Sequence, residues 1–138
     1  MRRVGIIGCG AIGTLIVTEI ERRIIKCDEL ILYDRNIKKA EKLKKLLHVP
    51  VTAVKSLDEM IKLRPTVIVE AASQQAVRDY IDRILAESIE LIVMSVGALL
   101  DLNIKSNKIH IPSGAIGGLD VIAALITEVR REKAERRM

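Results

Sequence analysis

Three glycines near the start of the chain, Gly8, Gly10 and Gly13, follow the spacing G-x-G-x-x-G. They come at the end of an apolar, β-branched run, Arg3–Gly8, and just before a helical pattern, so the motif lies between a predicted strand and a predicted helix. Gly8 permits a tight turn, Gly10 lacks the Cβ that would keep a pyrophosphate from the backbone, and Gly13 allows close helix–strand packing. The first helical turn also offers free N–H groups and a favourable dipole to phosphate. A plain glycine-rich turn would show the same spacing, but this context favours a dinucleotide-binding site.

A carboxylate follows the second apolar run, Glu29–Tyr33. Asp34 comes about twenty residues after the glycines, where an acidic side chain can accept both ribose hydroxyls of NAD. It could also cap the next helix, and the two roles are compatible. Arg35 could stack on adenine or meet a 2′-phosphate, so NAD is the favoured cofactor while NADP stays open.

The rest of the chain alternates short apolar runs with helical patterns, which predicts right-handed crossovers and a parallel sheet with helices on both faces. The predicted strands are Arg3–Gly8, Glu29–Tyr33, Val51–Val54, Thr66–Val69, Leu91–Met94 and Ile109–Ile111. We therefore expect an α/β fold, with a doubly wound, mainly parallel sheet of the Rossmann type that binds NAD(P). Residues 1–138 form a single dinucleotide-binding domain in this interpretation, with a C-terminal helix over residues 119–138.

Small and polar residues cluster after several predicted strands, at the carboxyl edge where open parallel sheets bind ligands. Two such clusters are Ala71, Ala72 and Ser73, and Ser95, Val96 and Gly97. The first offers small surface near a pyrophosphate and ribose, although Ser73 could simply cap the next helix. The second could line the nicotinamide side of a cofactor or form only a turn.

Composition disfavours several other classes of function. The net charge of +5 suggests nucleic acid, but two tyrosines are the only aromatic residues and the charges of residues 130–137 largely alternate in sign. No apolar run reaches membrane-spanning length and no signal peptide precedes the first strand, so we expect a cytoplasmic protein without a membrane partner. Abundant Lys, Arg, Glu and Ile are typical of a thermophilic source.

No residue is predicted to act as an acid, base, nucleophile or metal ligand. Cys9 and Cys27 make neither a disulfide framework nor a metal site, and Cys9 is expected to be a small buried thiol. We expect His110 in the core or at an edge of the sheet and His48 on the surface. The sequence contains no recognisable Ser/His/Asp constellation or paired carboxylates for acid–base work.

Two longer motifs, Glu70–Val77 and Ser113–Asp120, make the chain resemble the L-aspartate dehydrogenase family of archaea and thermophilic bacteria. Gly8–Gly13, Asp34-Arg35 and Ser95–Ala98 match that family in the same order. Its members oxidise L-aspartate to iminoaspartate with NAD or NADP, and in some organisms this feeds NAD biosynthesis. The resemblance implies an oxidoreductase that binds NAD(P) and L-aspartate or a related amino acid.

The resemblance also implies which residues border the cofactor. They are Gly8, Gly10, Ala11, Ile12, Gly13, Asp34, Arg35, Ala71, Ala72, Ser73, Ser95, Val96, Gly97, Ser113, Gly114 and Ala115. In this assignment the glycine loop holds the pyrophosphate, and Asp34 and Arg35 face the adenosine ribose. Ser95–Gly97 lie near the nicotinamide, and Ser113–Ala115 approach its carboxamide.

Two departures from the family bear on activity. The family carries its catalytic histidine and most substrate contacts in a second domain that this sequence does not include, so neither His48 nor His110 inherits that role. The segment between Ala98 and Ile109 is also about ten residues shorter than the family's, which leaves too little chain for a usual parallel crossover. We therefore expect a missing crossover helix, with the strand at Ile109–Ile111 displaced or reached by a loop.

The sequence thus predicts the NAD(P)-binding domain of an aspartate dehydrogenase-like oxidoreductase with little or no activity alone. One alternative is a non-catalytic NAD-binding or sensing module, or a cofactor subunit that acts with a partner chain. Another is a relative that acts on a different amino acid or amine. A face normally covered by a second domain would favour self-association into a homo-oligomer.

Overall fold

The computed structural model describes residues 3–22, 28–102, 104, 106–112 and 126–127. Strands and helices alternate through these residues in the order Arg3–Ile7 (β1), Ala11–Arg22 (α1), Glu29–Tyr33 (β2), Ile37–Lys44 (α2), Val51–Val54 (β3), Leu57–Lys62 (α3), Val67–Glu70 (β4), Gln74–Ala86 (α4), Glu90–Val93 (β5), Gly97–Leu102 (α5) and Ile109–His110 (β6). Within the described residues, these strands form one six-stranded parallel sheet in the order β3-β2-β1-β4-β5-β6. This is the predicted doubly wound α/β fold of the Rossmann type.

The sheet is buried on both faces, which explains why its central strands are apolar without alternation. Helices α1 and α2 pack on one face through side chains such as Ile16, Ile20 and Leu43. Helices α3 and α4 pack on the other face through Met60 and Ile81, among others. The strand order reverses between β1 and β4, so the crevice at their carboxyl ends is the place where this architecture binds ligands.

The connection between β5 and β6 corrects the expectation of a missing crossover helix. Helix α5 occupies Gly97–Leu102, and β6 pairs in parallel with β5, with Ile92 opposite His110. The prediction is wrong because it counts the crossover only between Ala98 and Ile109. Helix α5 already begins at Gly97, and residues 94–108 together provide the dozen or more residues that a parallel crossover needs.

The end of the chain is described only at two positions. Ile126 and Thr127 are helical, and Ile126 is buried against the face that carries α1 and α2. The rest of the helix predicted over residues 119–138 lies outside the described residues. Among the parts that the structure describes, no helix combines the length and apolar character needed to cross a membrane.

Candidate functional site

The three glycines of the loop between β1 and α1 have different surroundings. Gly8 has a φ of +100°, and a Cβ there would lie 2.8 Å from the backbone of Ala71. A Cβ at Gly13 would lie 1.9 Å from the carbonyl oxygen of Gly8, a steric overlap that excludes any side chain. At Gly10, by contrast, a Cβ would have no atom within 4 Å. The fold therefore requires glycine at positions 8 and 13, whereas Gly10 leaves open space beside exposed backbone.

The carboxylate of Asp34 is held against this loop. Its Oδ2 accepts a hydrogen bond of 2.8 Å from the backbone N–H of Cys9, and its Oδ1 accepts one of 2.8 Å from the N–H of Asn36. Asp34 is half-buried at the end of β2. Because each carboxylate oxygen has two lone-pair sites, both oxygens can still accept a hydroxyl of a ligand.

A cavity of about 460 Å³ lies at the carboxyl edge, between the end of β2 and the start of α4. Its volume falls in the range of small-molecule sites. Five of the predicted cofactor residues line it: Gly8, Asp34, Arg35, Ala72 and Ser73. The structure thus brings the glycine loop, the predicted ribose carboxylate and the loop after β4 to one cavity.

The other predicted residues do not line this cavity. Gly10, Ala11 and Ile12 are exposed at the start of α1, and Gly13 is buried there. Ala71 is half-buried beneath Gly8, and the half-buried Ser95, Val96 and Gly97 follow β5. Ser113, Gly114 and Ala115 lie outside the described residues. The structure therefore divides the described predictions among the cavity on the β2 side, the start of α1, and the loops that follow β4 and β5.

Helix α4 contributes cavity residues that the sequence analysis does not predict. Gln75, Asp79 and Tyr80 line the cavity opposite the end of β2. The Gln75 amide donates to Asp79 Oδ1 at 2.8 Å, and the hydroxyls of Tyr80 and Tyr33 lie 3.0 Å apart. The bond to Tyr33, together with burial, raises the pKa of Tyr80 to about 12. Helical spacing from Ser73, which caps α4, is the signal that could have identified this face.

Glu70 is the most important functional residue that is missing from the predicted cofactor residues. It is the last residue of β4, is 1% exposed, and accepts four hydrogen bonds. Its Oε2 accepts from the N–H of Ala72 at 2.9 Å and from Ser95 Oγ at 2.7 Å. Its Oε1 accepts from the N–H of Met94 at 3.0 Å and from that of Ser95 at 2.8 Å. These bonds fill the lone-pair sites of a carboxylate and join the loops after β4 and β5.

The side chains of Cys9, His48 and His110 do not line the cavity, and Cys27 lies outside the described residues. Burial, followed by the charge of Asp34, raises the pKa of Cys9 to about 12, so its thiol stays protonated as predicted for a buried residue. His48 is on the surface, as predicted. His110 lies on the edge strand β6, with its Nε2 3.9 Å from Glu90. The described ranges contain no group of three or more His, Cys, Asp or Glu residues that could hold a metal ion.

Comparison with known proteins identifies one family over most of the chain. The model of the family described as "Homoserine dehydrogenase, NAD binding domain" matches residues 8–110. The L-aspartate dehydrogenase of Methanocaldococcus jannaschii is 38% identical over 136 residues, which cover 91% of this chain and 50% of that protein. The L-aspartate dehydrogenase of Archaeoglobus fulgidus is 39% identical over 139 residues, covering 91% of this chain and 53% of that protein.

A solved structure shows the same relationship in three dimensions. The crystal structure of aspartate dehydrogenase from Thermotoga maritima superposes with a TM-score of 0.60 at 28% identity. The match covers 90% of this chain and 51% of that one. The chain therefore spans about half the length of the relatives that it matches.

Proposed function

This chain belongs to the family of homoserine dehydrogenase NAD-binding domains, and we propose that it binds NAD for the oxidation of L-aspartate. It is an NAD-binding domain homologous to L-aspartate dehydrogenases over about half of their length. In the proposed reaction, L-aspartate loses a hydride from its α-carbon and a proton from its amino group, and iminoaspartate forms. The bound dinucleotide supplies the hydride acceptor, and the protein supplies binding and orientation.

The observation that carries the proposal is the position of Asp34 beside the open backbone at Gly10. The residues present fit a dinucleotide, because a Cβ at Gly10 would fill open space while the Asp34 carboxylate keeps free acceptor sites at the cavity. Gly10 and the start of α1 would receive the pyrophosphate, since exposed N–H groups at a helix N-terminus favour negative charge. Asp34 would accept the adenosine ribose hydroxyls.

The charges of the cavity favour NAD over NADP. Two acidic side chains, Asp34 on the β2 side and Asp79 on α4, line it together with one cation, Arg35. A 2′-phosphate would place its negative charge against these carboxylates, whereas a ribose hydroxyl can donate to them. Arg35 and Asp79 are both exposed, so solvent would screen their opposite effects on the phosphate, and the half-buried Asp34 carries the preference.

A calorimetric titration of the purified chain with NAD and with NADP tests cofactor binding. We expect NAD to bind at least about tenfold more tightly than NADP, and Asp34→Asn to lose about tenfold in NAD affinity as a charge-assisted hydrogen bond is removed. Asp58→Asn is the matched control, because it neutralises an exposed carboxylate that pairs with Arg83 and does not line the cavity. Failure of both dinucleotides to bind the wild-type chain would refute the proposal.

The substrate is tested separately by cofactor reduction. We propose that the substrate-binding groups come from outside the described residues, because His48 is exposed after α2 and His110 Nε2 lies 3.9 Å from Glu90, the first residue of β5, at the edge of the sheet opposite the glycine loop. The chain of 138 residues should therefore bind NAD but give little or no NADH with L-aspartate. Steady NADH production from L-aspartate would contradict this part of the proposal. Production from L-homoserine or another amino acid, but not from L-aspartate, would assign a different substrate.

A further inference from the structure

The four hydrogen bonds of Glu70 connect two loops that leave the sheet in succession. Ala72 belongs to the loop between β4 and α4, and Met94 and Ser95 belong to the loop between β5 and α5. All four donors come from backbone or from a serine hydroxyl, so the side chain binds no neighbouring cation through these bonds. Since the carboxylate is 1% exposed, its acceptor sites are directed inward rather than toward a ligand.

On the β4 side, the hydrogen bond from the Ala72 N–H to Glu70 fixes the loop between β4 and α4, which contacts the glycine loop. A Cβ at Gly8 would lie 2.8 Å from the backbone of Ala71 and 2.9 Å from the Cα of Ala72, so the two loops are already at contact distance. The hydrogen bond that Glu70 accepts from the Ala72 N–H keeps this loop at contact distance from Gly8. A shift of the loop would change its contact with Gly8.

On the β5 side, Glu70 holds the residue from which α5 begins. Ser95 donates to it twice, through its N–H and its hydroxyl. The carbonyl of Ser95 then accepts from the N–H of Ala98 at 3.3 Å, and that of Val96 accepts from Leu99 at 2.9 Å. The first turn of α5 is therefore attached, through Ser95, to the end of β4.

We propose that Glu70 is a positioning residue that holds the loop after β5 in register with the loop after β4, and so forms the nicotinamide side of the site. The inference rests on the proposed function, because it assumes that the dinucleotide crosses from the Asp34 cavity toward Ser95–Gly97. Glu70 acts through Ser95 and Ala72, without touching the cofactor. Its loss should weaken binding of the complete dinucleotide more than binding of its adenosine half.

The test compares titrations with NAD and with adenosine 5′-monophosphate, which carries only the adenosine half. Ser95→Ala removes one hydroxyl bond to Glu70, and Glu70→Gln replaces one acceptor oxygen by a donor. Thr52→Val is the matched control, since the Thr52 hydroxyl also donates to a glutamate, Glu29, away from the cavity. We expect each loop variant to lose about fivefold in NAD affinity while its affinity for the monophosphate stays within about twofold.

Each outcome decides the proposal. Weakened NAD binding with unchanged monophosphate binding in both Glu70→Gln and Ser95→Ala, and no change in Thr52→Val, supports it. Unchanged affinities with a lowered melting temperature, or equal losses for both ligands, would overturn it and leave the proposed function intact. If Glu70→Gln does not fold, Glu70→Asp, which keeps the charge and shortens the side chain, takes its place, because Ser95 is itself predicted to border the nicotinamide. Failure of the wild-type chain to bind NAD would instead refute the proposed function, and the positioning role with it.

Discussion

Asp34 and Glu70 lie at the ends of two strands of one sheet, but their carboxylates differ in how many hydrogen-bond acceptor sites remain free. Asp34 is half-buried, accepts two backbone N–H groups and lines the cavity. Glu70 is 1% exposed, accepts four donors and lines no part of that cavity. A carboxylate can therefore bind a ligand after β2, whereas after β4 it holds the loops that follow β4 and β5 together.

Both β2 and β4 have a neighbouring strand on each side, so the difference follows from where each carboxylate leaves its strand. Glu70 is the last residue of β4, and its side chain meets backbone from the loop after β5 and no solvent. A buried carboxylate is tolerated only when its acceptor sites are filled. Asp34 extends past the end of β2 into the crevice, where water or a ligand can complete its hydrogen bonding.

The largest expected effect is the loss of stability in Glu70→Ala. This change leaves the N–H groups of Ala72 and Ser95 and the Ser95 hydroxyl without their acceptor, while the Met94 N–H keeps its bond to the main-chain carbonyl of residue 70. We expect the free energy of unfolding to fall by about 3 kcal/mol. Asp34→Ala should cost about 1 kcal/mol, because water can reach that end of the loop. Urea denaturation of the two variants measures both values. Equal losses would remove the distinction between a fastening and a ligand-binding carboxylate.

Next in size is the effect of Gly10→Ala on cofactor affinity. A Cβ at Gly10 meets no atom within 4 Å, so stability should stay within about 0.5 kcal/mol of wild type. NAD affinity should fall about 100-fold, because the methyl group occupies the space proposed for the pyrophosphate. Gly13→Ala is the contrast: its Cβ would overlap the carbonyl of Gly8 and should destabilise the fold itself. Full NAD affinity in Gly10→Ala would place the pyrophosphate elsewhere.

The smallest effect concerns the tyrosine pair that joins β2 to α4 across the cavity. Tyr33→Phe leaves Tyr80 as the one tyrosine of the chain, and its pKa should fall from about 12 toward its ordinary value near 10. A raised tyrosine pKa means that the folded state holds the proton more tightly. The bond therefore adds stability below about pH 10 that is lost as the pH rises toward 12. Ultraviolet titration of the phenolate measures the shift, and an unchanged pKa in Tyr33→Phe would show that Tyr33 does not cause it.

Local patterns were enough to predict the sheet and the β2 side of the site. The apolar runs predict β1 to β5 closely, and the glycine spacing and Asp34 are near enough in sequence to be read as one motif. These predictions succeed because each pattern depends on residues that are close together in the sequence. The helix α5 is too short to show periodicity beside the glycine at its start, so Ser95–Ala98 resembled a turn.

Glu70 shows what local patterns miss. It belongs to a recognised motif, but three of its four bonds come from Met94 and Ser95, which are separated from it by a whole helix and strand. Its role depends on the pairing of β4 with β5 and on complete burial, neither of which the spacing of residues reveals. The same holds for Asp79 and Tyr80, which reach the cavity only because α4 starts beside it.

The most direct test of the account is a titration of the isotopically labelled chain with NAD, followed through its backbone amide signals. We expect the signals of Gly10, Ala72 and Ser95, at the carboxyl edge of the sheet, to shift together in proportion to the bound fraction. Those of Glu29 and Glu90, the first residues of β2 and β5, should stay in place because they lie at the opposite edge. Shifts confined to the opposite edge, or none at Gly10, would contradict a cofactor site built on the glycine loop.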